Sequence, residues 1–520
     1  MALVTLTDLY ANLTDWPGNL LRASDGVTIG ALTATNFSYT FVSGTTFAGF
    51  TVTSTGTSFT YDGTTPTGGT MTGLTITDAG GHVVLTVAGI VAGSMASDLS
   101  MFASLEFGWS TPNGGGTSGN PDGAWSQLLS GNDTITGTAG NDHEGLNGLS
   151  AGNDTYNMGA GDDKINGSLG YDTINGGDGW DTLTYDRTKY GEAIAMVRGI
   201  TVNVNAGTVA DPYGATDHFT GIEQIEGSIG RDTFNGGTVG MNFEGLRGAD
   251  KFVGGTSGND WVVYSNDTWS GGARGVIVHL QTSTVGTDIL GSVIDGFGNT
   301  DQTVNIHNVA GTQYNDTFLG SSQLDVFAGG EGKDFYNGGL GSDWIDLGWN
   351  FAGTPQHGVI VNLKLLTGKI VDDGFGNSET AISIENIWTG NQNDRITGSL
   401  ASNSIVGNHG DDTMTGGGGH DTFQWANLAD LGQQDVITDF HGAAGVEQDI
   451  LKFHVSNWGA TTTLNLVNGT AATLAAATFL YNVADHSLSW DADGTGAQAA
   501  IHIATLNNVL ALNAANFDLF

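Results

Sequence analysis

Aspartates recur along this chain at a fixed spacing. Asp154, Asp163, Asp172 and Asp181 stand nine residues apart, as do Asp316, Asp325, Asp334 and Asp343, and then Asp394, Asn403, Asp412 and Asp421. A sparser block holds Asp232 and Asp250, eighteen apart with Met241 at the midpoint, then Asp260 one residue late; an outlying pair, Asp133 and Asp142, precedes them all. A carboxylate is a hard oxygen donor, so a regular file of them points to binding of a hard cation. The competing role is local: an Asp in a Gly-Asn-Asp turn can close that turn by accepting from its own backbone. One such turn favours the local role, whereas the strictness of the register favours the cation.

The residues around each Asp say how it is positioned. Gly177 and Gly179 precede Asp181, Gly330 and Gly332 precede Asp334, Gly339 and Gly341 precede Asp343, and Gly417 and Gly419 precede Asp421; Gly161, Gly170 and Gly410 stand two before Asp163, Asp172 and Asp412. Glycine reaches φ > 0 without steric cost, so the chain can bend sharply at these points. Two places after the Asp comes an apolar residue: Ile165, Ile174, Leu183, Phe234, Phe252, Phe318, Phe327, Tyr336, Ile345, Ile396, Ile405, Met414 or Phe423. That is one inward side chain per short strand, with polar neighbours on the other face.

If two nonads form one turn of a parallel β-roll, residues eighteen apart stack. Asp154 then faces Asp172, Asp163 faces Asp181, Asp232 faces Asp250, Asp316 faces Asp334, Asp325 faces Asp343 and Asp394 faces Asp412. Two carboxylates so placed repel by on the order of 4 kcal/mol at an effective dielectric near 20. Ca²⁺ reverses the sign, because it accepts 6 to 8 oxygens at flexible angles and Gly-rich turns can add backbone carbonyls. Cation binding then becomes folding free energy.

This spacing closely resembles the G-G-x-G-x-D-x-U-x nonapeptide of the RTX (repeats-in-toxin) proteins. The resemblance covers roughly residues 130–520 and implies an all-β fold, a parallel β-roll or β-solenoid that binds several Ca²⁺ at these aspartates and glycines. "DVITDF" (435–440), "DILKF" (449–453), "SWDADGTG" (489–496), "IHIATLNNV" (501–509) and the final "NFDLF" resemble the C-terminal region of serralysin-type exoproteins. That second resemblance implies a C-terminal signal read by a type I secretion apparatus and a further calcium site at Asp435, Asp439 and Asp449. No H-E-x-x-H occurs, so the protease domain of that group is not expected; His143 is followed by Glu144 but by no second His at helical spacing.

Composition bounds the rest. Of 520 residues 84 are Gly, 6 Pro and none Cys, and 54 Asp+Glu against 14 Lys+Arg leave a formal charge of −40. Such a surface repels phosphate backbones and anionic lipid and attracts cations, so nucleic acid is excluded as a partner. Without Cys there is no disulfide framework. The start, "MALVTLTDLYANLTDW", lacks a basic segment followed by an apolar one, and no apolar run reaches membrane-spanning length. We therefore expect neither Sec-type export nor a membrane span, and a secreted, extracellular location.

The blocks begin at 154, 232, 316 and 394, so a unit of about 80 residues encloses the nonads. Between blocks lie matched strands, "GITVNV" from Gly199, "GVIVHL" from Gly275 and "GVIVNL" from Gly358, each leading into a loop: "DPYGATD" from Asp211 and "DGFGN" from Asp295 and Asp373. "IEQIEGS", "NIHNVAGT" and "IENIWTG" then lead into the next nonads. The expected domains are an N-terminal β-rich domain over 1–128, an RTX solenoid over 129–425 and a C-terminal β cap and secretion region over 426–520. Within the first, "NFSYTFVSGTTFAGFTVTSTGTSFTYDG" reads as consecutive antiparallel strands, and the stretch from Leu6 to Leu21 as a short amphipathic helix.

Catalytic signals are thin. "GLSAG" at 148–152 matches G-x-S-x-G but lacks the strand and helix of a nucleophile elbow, and "DADGTG" lacks the twelfth-position Glu of an EF-hand. Trp180, Trp261, Trp344, Trp388 and Trp425 suit either packing or stacking on sugar. Two functions are left standing. One is a non-enzymatic surface or matrix component, S-layer-like or adhesive, that self-assembles or holds surface polysaccharide. The other is a carbohydrate-active or lipolytic exoenzyme with its site on the loops.

Overall fold

The computed structural model describes residues 3–6, 27–32, 36–41, 51–62, 65–77, 83–88, 134–136, 140–141, 152–167, 169–186, 198–349, 355, 357–364, 368–442, 447–458, 462–507 and 509–520. The expected N-terminal helix, apart from its first residue, falls outside them, as do His143, Glu144 and Ser150. The described secondary structure is β throughout, with only short 3-10 turns, and no helix among these residues is long and apolar enough to cross a membrane. The chain forms two compact units, residues 1–250 with 255–257, and 251–254 with 258–520.

In the first unit an antiparallel sheet comes first. Val27–Leu32, Asn36–Phe41, Thr51–Asp62, Thr65–Thr77 and Val83–Ala88 pair in sequence order, and Val83–Ala88 pairs with Leu3–Leu6. Leu3–Leu6 then pairs in parallel with Thr134–Thr136, which pairs in parallel with Thr155–Ala160. The N-terminal sheet therefore continues into the first rungs of the solenoid through one strand.

The rungs follow the nonads. Thr173 lies beside Thr155 and Thr182 beside Lys164, each displaced by two nonads, and the same parallel register places Phe335 beside Thr317 and Trp344 beside Val326 in the second unit. Each pair of nonads thus contributes one strand to each of two facing sheets. Side chains alternate along a strand, so the residue two after each Asp faces inward. Every one of those residues is buried, from Ile165 and Ile174 to Met414 and Phe423. Phe318 and Tyr336, one rung apart, stack with ring centroids 5.2 Å apart and planes within 3°.

Between blocks the solenoid makes a looping rung. Arg198–Asn203, Thr208–Ala210 and Thr216–Thr220 form an antiparallel trio; its last strand pairs in parallel with Thr173–Asp178 and its first with Arg231–Asn235. Ile277–Val285, Asp288–Ile294 and Thr300–Val304 repeat this plan, as do Ile360–Asn362, Lys369–Asp372 and Glu379–Ile382. One sheet gains three strands here where the facing sheet gains one, Gln224–Glu226, Asn308–Ala310 or Asn386–Trp388.

At the C-terminal end the rungs continue through Asp435–Ile437 and Ile450–Phe453, and hairpins of Thr478–Asn482, Ser487–Asp491 and Ile501–Leu506 close the core. Phe479 sits against Trp490 at 4.7 Å, Phe453 at 4.9 Å and Phe517 at 5.0 Å. This aromatic plug substitutes for the next rung. Removing its central ring by Phe479→Ala is expected to cost about 3 to 5 kcal/mol. Thermal melting in excess calcium should show a lower Tm, with the number of bound calcium ions unchanged.

Candidate metal centres on the turns

The turn that precedes each strand brings its Asp to the edge of the sheet, out of water. All six facing pairs expected from the sequence are neighbours. Oδ1 of Asp172, Asp181, Asp250, Asp334, Asp343 and Asp412 accepts the backbone N–H of Asp154, Asp163, Asp232, Asp316, Asp325 and Asp394, each at 2.8 Å. Every aspartate in these pairs is buried. The side chain thus closes the turn of the rung before it, not its own turn. Asn403 keeps the same place and donates its N–H to Asp421 at 2.9 Å, Met241 puts a buried apolar side chain at the midpoint of its block, and Asp260 is buried. Asp133 and Asp142 lie outside the described residues.

The ladder also runs through residues that the nine-residue register does not mark. Asp217 accepts from Asp172 at 3.0 Å and Glu223 from Asp181 at 2.8 Å; Glu379 accepts from Asp334 at 3.4 Å and Glu385 from Asp343 at 3.0 Å. His307, two before buried Val309 as Glu223 is two before Ile225, stands with Nδ1 2.9 Å from Asp325 Oδ1. The signal for these groups is a polar side chain two places before an inward residue, which survives where the spacing is broken by a loop. Asp435 and Asp449 extend both edges, accepting from Asp412 at 3.0 Å and Asp421 at 2.9 Å, while Asp439 accepts from Gly416 and Gly417 at 2.9 and 3.0 Å.

All of the candidate glycines, Gly161, Gly170, Gly177, Gly179, Gly330, Gly332, Gly339, Gly341, Gly410, Gly417 and Gly419, have φ > 0. Space restricts them as well. A Cβ on Gly177 or Gly179 would run into the carbonyl oxygen of Gly159 or Gly161 one rung earlier, so these turns stack with carbonyls against the next bend.

Oδ2 of Asp181, Asp343, Asp412 and Asp421 is buried without a hydrogen-bond partner. Each faces a glycine, Gly176, Gly338, Gly407 or Gly416, whose Cβ would collide with it. A charged oxygen cut off from water and given no donor is costly unless a cation compensates it. These residues therefore fit Ca²⁺, with carboxylates and turn carbonyls as the donors. No group of three or more His, Asp or Glu side chains occurs among the described residues, so carbonyls must make up most of any ligand set.

Burial raises the carboxyls, and neighbouring acids add to it. Asp343 and Asp421 are pushed up to about 7, and Asp412, with Asp394 and Asp435 nearby, to about 9. Folded carboxyls with raised pKa hold protons more tightly than unfolded ones. In the metal-free chain that stabilisation is fully present below about pH 4. It is lost as pH rises through about 7 at Asp343 and Asp421 and about 9 at Asp412. In chelator, far-UV circular dichroism should therefore show more β-structure at pH 5 than at pH 8. Calcium affinity should run the other way and fall as protons compete below pH 7.

The loops between blocks close on themselves. Asp211 Oδ1 accepts from Tyr213, Gly214 and Ala215 at 2.6–2.9 Å, Asp295 Oδ1 from Phe297 and Asn299 at 3.0 and 2.6 Å, and Asp373 Oδ1 from Phe375 and Asn377 at 2.9 Å each. "DADGTG" turns between two cap strands, with Asp491 accepting from Gly494 at 2.9 Å. Of the tryptophans, Trp425 stacks on Phe453 and Trp261 packs on Trp349, whereas Trp180 and Trp388 are exposed.

Comparison with known proteins bears on the same turns. The model of the RTX calcium-binding nonapeptide repeat matches the chain in four copies, at residues 129–143, 158–187, 310–345 and 388–423, and no curated protein matches it. The three longer segments include the donor-free oxygens of Asp181, Asp343, Asp412 and Asp421. The chain thus carries RTX calcium-binding nonapeptide repeats, and they lie on the β-solenoid described above.

Proposed function

We propose that this protein is a secreted calcium-binding RTX protein that folds on Ca²⁺ after export and serves as a structural or adhesive component of the bacterial cell surface or matrix. The observation that carries this reading is the set of buried carboxylate oxygens without donors at Asp181, Asp343, Asp412 and Asp421. Such a chain is cohesive where calcium is millimolar and self-repelling where calcium is scarce. Passage through a type I secretion apparatus as an unfolded chain suits that dependence, with the C-terminal region from 426 as the signal.

A scaffold role is supported by how the acids are used. The aspartates and glutamates of the turns and loops close backbone turns or join the ladder, which leaves them to hold shape and not to turn over a substrate. At −40, the surface favours calcium-bridged contacts with other acidic surfaces, including surface polysaccharide and further copies of the chain.

Calcium titration followed by far-UV circular dichroism and light scattering tests both parts on one sample. The expected outcome is a β-rich spectrum at millimolar calcium, a largely unstructured repeat region in chelator, and larger particles in calcium. Magnesium should substitute poorly, because it demands octahedral geometry and retains its water. Full β-structure after exhaustive chelation, or steady turnover on polysaccharide or ester substrates, would refute the proposal.

A further inference from the structure

Two kinds of turn stand out among those carrying the acid ladder. In "GGDGWD" (176–181), "GGLGSD" (338–343), "GNHGDD" (407–412) and "GGGGHD" (416–421), the second and fourth residues both have φ > 0. In each of these four turns the aspartate Oδ2 is buried without a donor.

In "GSIGRD" (227–232), "GTQYND" (311–316), "GSSQLD" (320–325) and "GSLASN" (398–403), none of the six residues has φ > 0, and the second is Ser or Thr. Its backbone N–H and its hydroxyl both donate to the acid four places on. Ser228 N and Oγ reach Asp232 Oδ2 and Oδ1 at 2.8 Å each, and Thr312 N and Oγ1 reach Asp316 Oδ2 and Oδ1 at 2.7 and 3.0 Å. Ser321 does the same to Asp325, its hydroxyl at 3.1 Å. Each hydroxyl then accepts an N–H two residues on, from Gly230, Tyr314 or Gln323 at 2.9–3.0 Å. The rung before adds a further donor, Ile200 N to Asp232 Oδ1 at 2.7 Å and Val276 N to Asp316 Oδ1 at 2.6 Å.

The fourth turn of this kind shows that the negative charge is dispensable. Asn403 occupies the acid's place, accepts Ser399 N and Oγ at 2.7 and 3.2 Å on Oδ1, and donates its amide N–H₂ to Glu385 O. A neutral amide closes the turn as a carboxylate does, which a turn built around a cation would not allow at equal strength.

We infer that the hydroxyl-capped turns at Asp232, Asp316, Asp325 and Asn403 close without metal, and that the calcium demand of the solenoid falls on turns with a bare Oδ2, the glycine turns at Asp181, Asp343, Asp412 and Asp421 first among them. This deepens the proposal of calcium-dependent folding and rests on it. The nonads are then not equivalent. In the block that begins at 316, the capped turns at Asp316 and Asp325 precede the glycine turn at Asp343, so this block opens on turns that form at low calcium and ends on one that waits for it.

The test uses the full chain, with bound calcium counted by elemental analysis after equilibrium dialysis and the fold checked by far-UV circular dichroism in calcium. D316N, D325N and D232N should keep the wild-type calcium count, whereas D343N, D412N and D421N should each lose one ion or more. S321A and T312V, which remove only the capping hydroxyl, should lower the Tm and leave the count unchanged. Loss of calcium from D316N or D325N equal to that from D343N would overturn the division of turns while leaving calcium-dependent folding intact. A wild-type chain that binds no calcium would overturn both.

Discussion

A carboxylate that reaches across to the backbone N–H of the preceding rung is the interaction on which the rest of this structure depends. It repeats at 2.8 Å along the repeat blocks and is continued by Asp435 and Asp449 into the cap. The bond satisfies a buried amide that a sharp turn would otherwise leave unpaired, and in doing so carries an anion out of water. Everything at the turn edge answers that second effect, by a hydroxyl, by a tyrosine such as Tyr336 beside Asp334 at 3.2 Å, or by leaving an oxygen bare for a cation.

The interior meets fewer demands. One inward side chain per strand gives a thin core, and aromatic rings one rung apart compensate by stacking, as Phe318 does on Tyr336. A core of that thickness has to offset the ordering of a glycine-rich chain, since glycine loses more backbone freedom than any other residue. Cohesion therefore has to come from the edges. The looping rungs fit the same logic: Asp211, Asp295 and Asp373 fasten their loops by accepting backbone N–H groups, so the insertions need no core of their own.

The proposed calcium dependence follows from the balance between these edges. Where Ser or Thr stands second in the turn, the acid finds its donors within four residues. Where Gly or Asn stands there with φ > 0, as before Asp181, Asp343, Asp412 and Asp421, Oδ2, which the backbone N–H of the capping residue meets in the other turns, stays bare. On the division of turns proposed above, the residue second in the turn decides whether that turn is self-sufficient or depends on an ion from outside.

The sequence alone determined the periodic parts of this protein: the eighteen-residue rung, the inward residue two after each Asp, the facing acid pairs and the antiparallel strands over 36–63. These are local, repeated and set by the two-residue alternation of a strand, so spacing suffices to read them. Asp217, Glu223, Glu379 and Glu385 were not legible in that way, because loops displace them from the register and only strand pairing returns them to the ladder. The reach of Asp172, Asp181, Asp343 and Asp412 to the previous rung was likewise decided by tertiary structure, since the N–H that each accepts lies eighteen residues away in sequence and one strand spacing away in space. So was the difference between a capped and a bare Oδ2, which rests on whether a backbone N–H of the closed turn points at it.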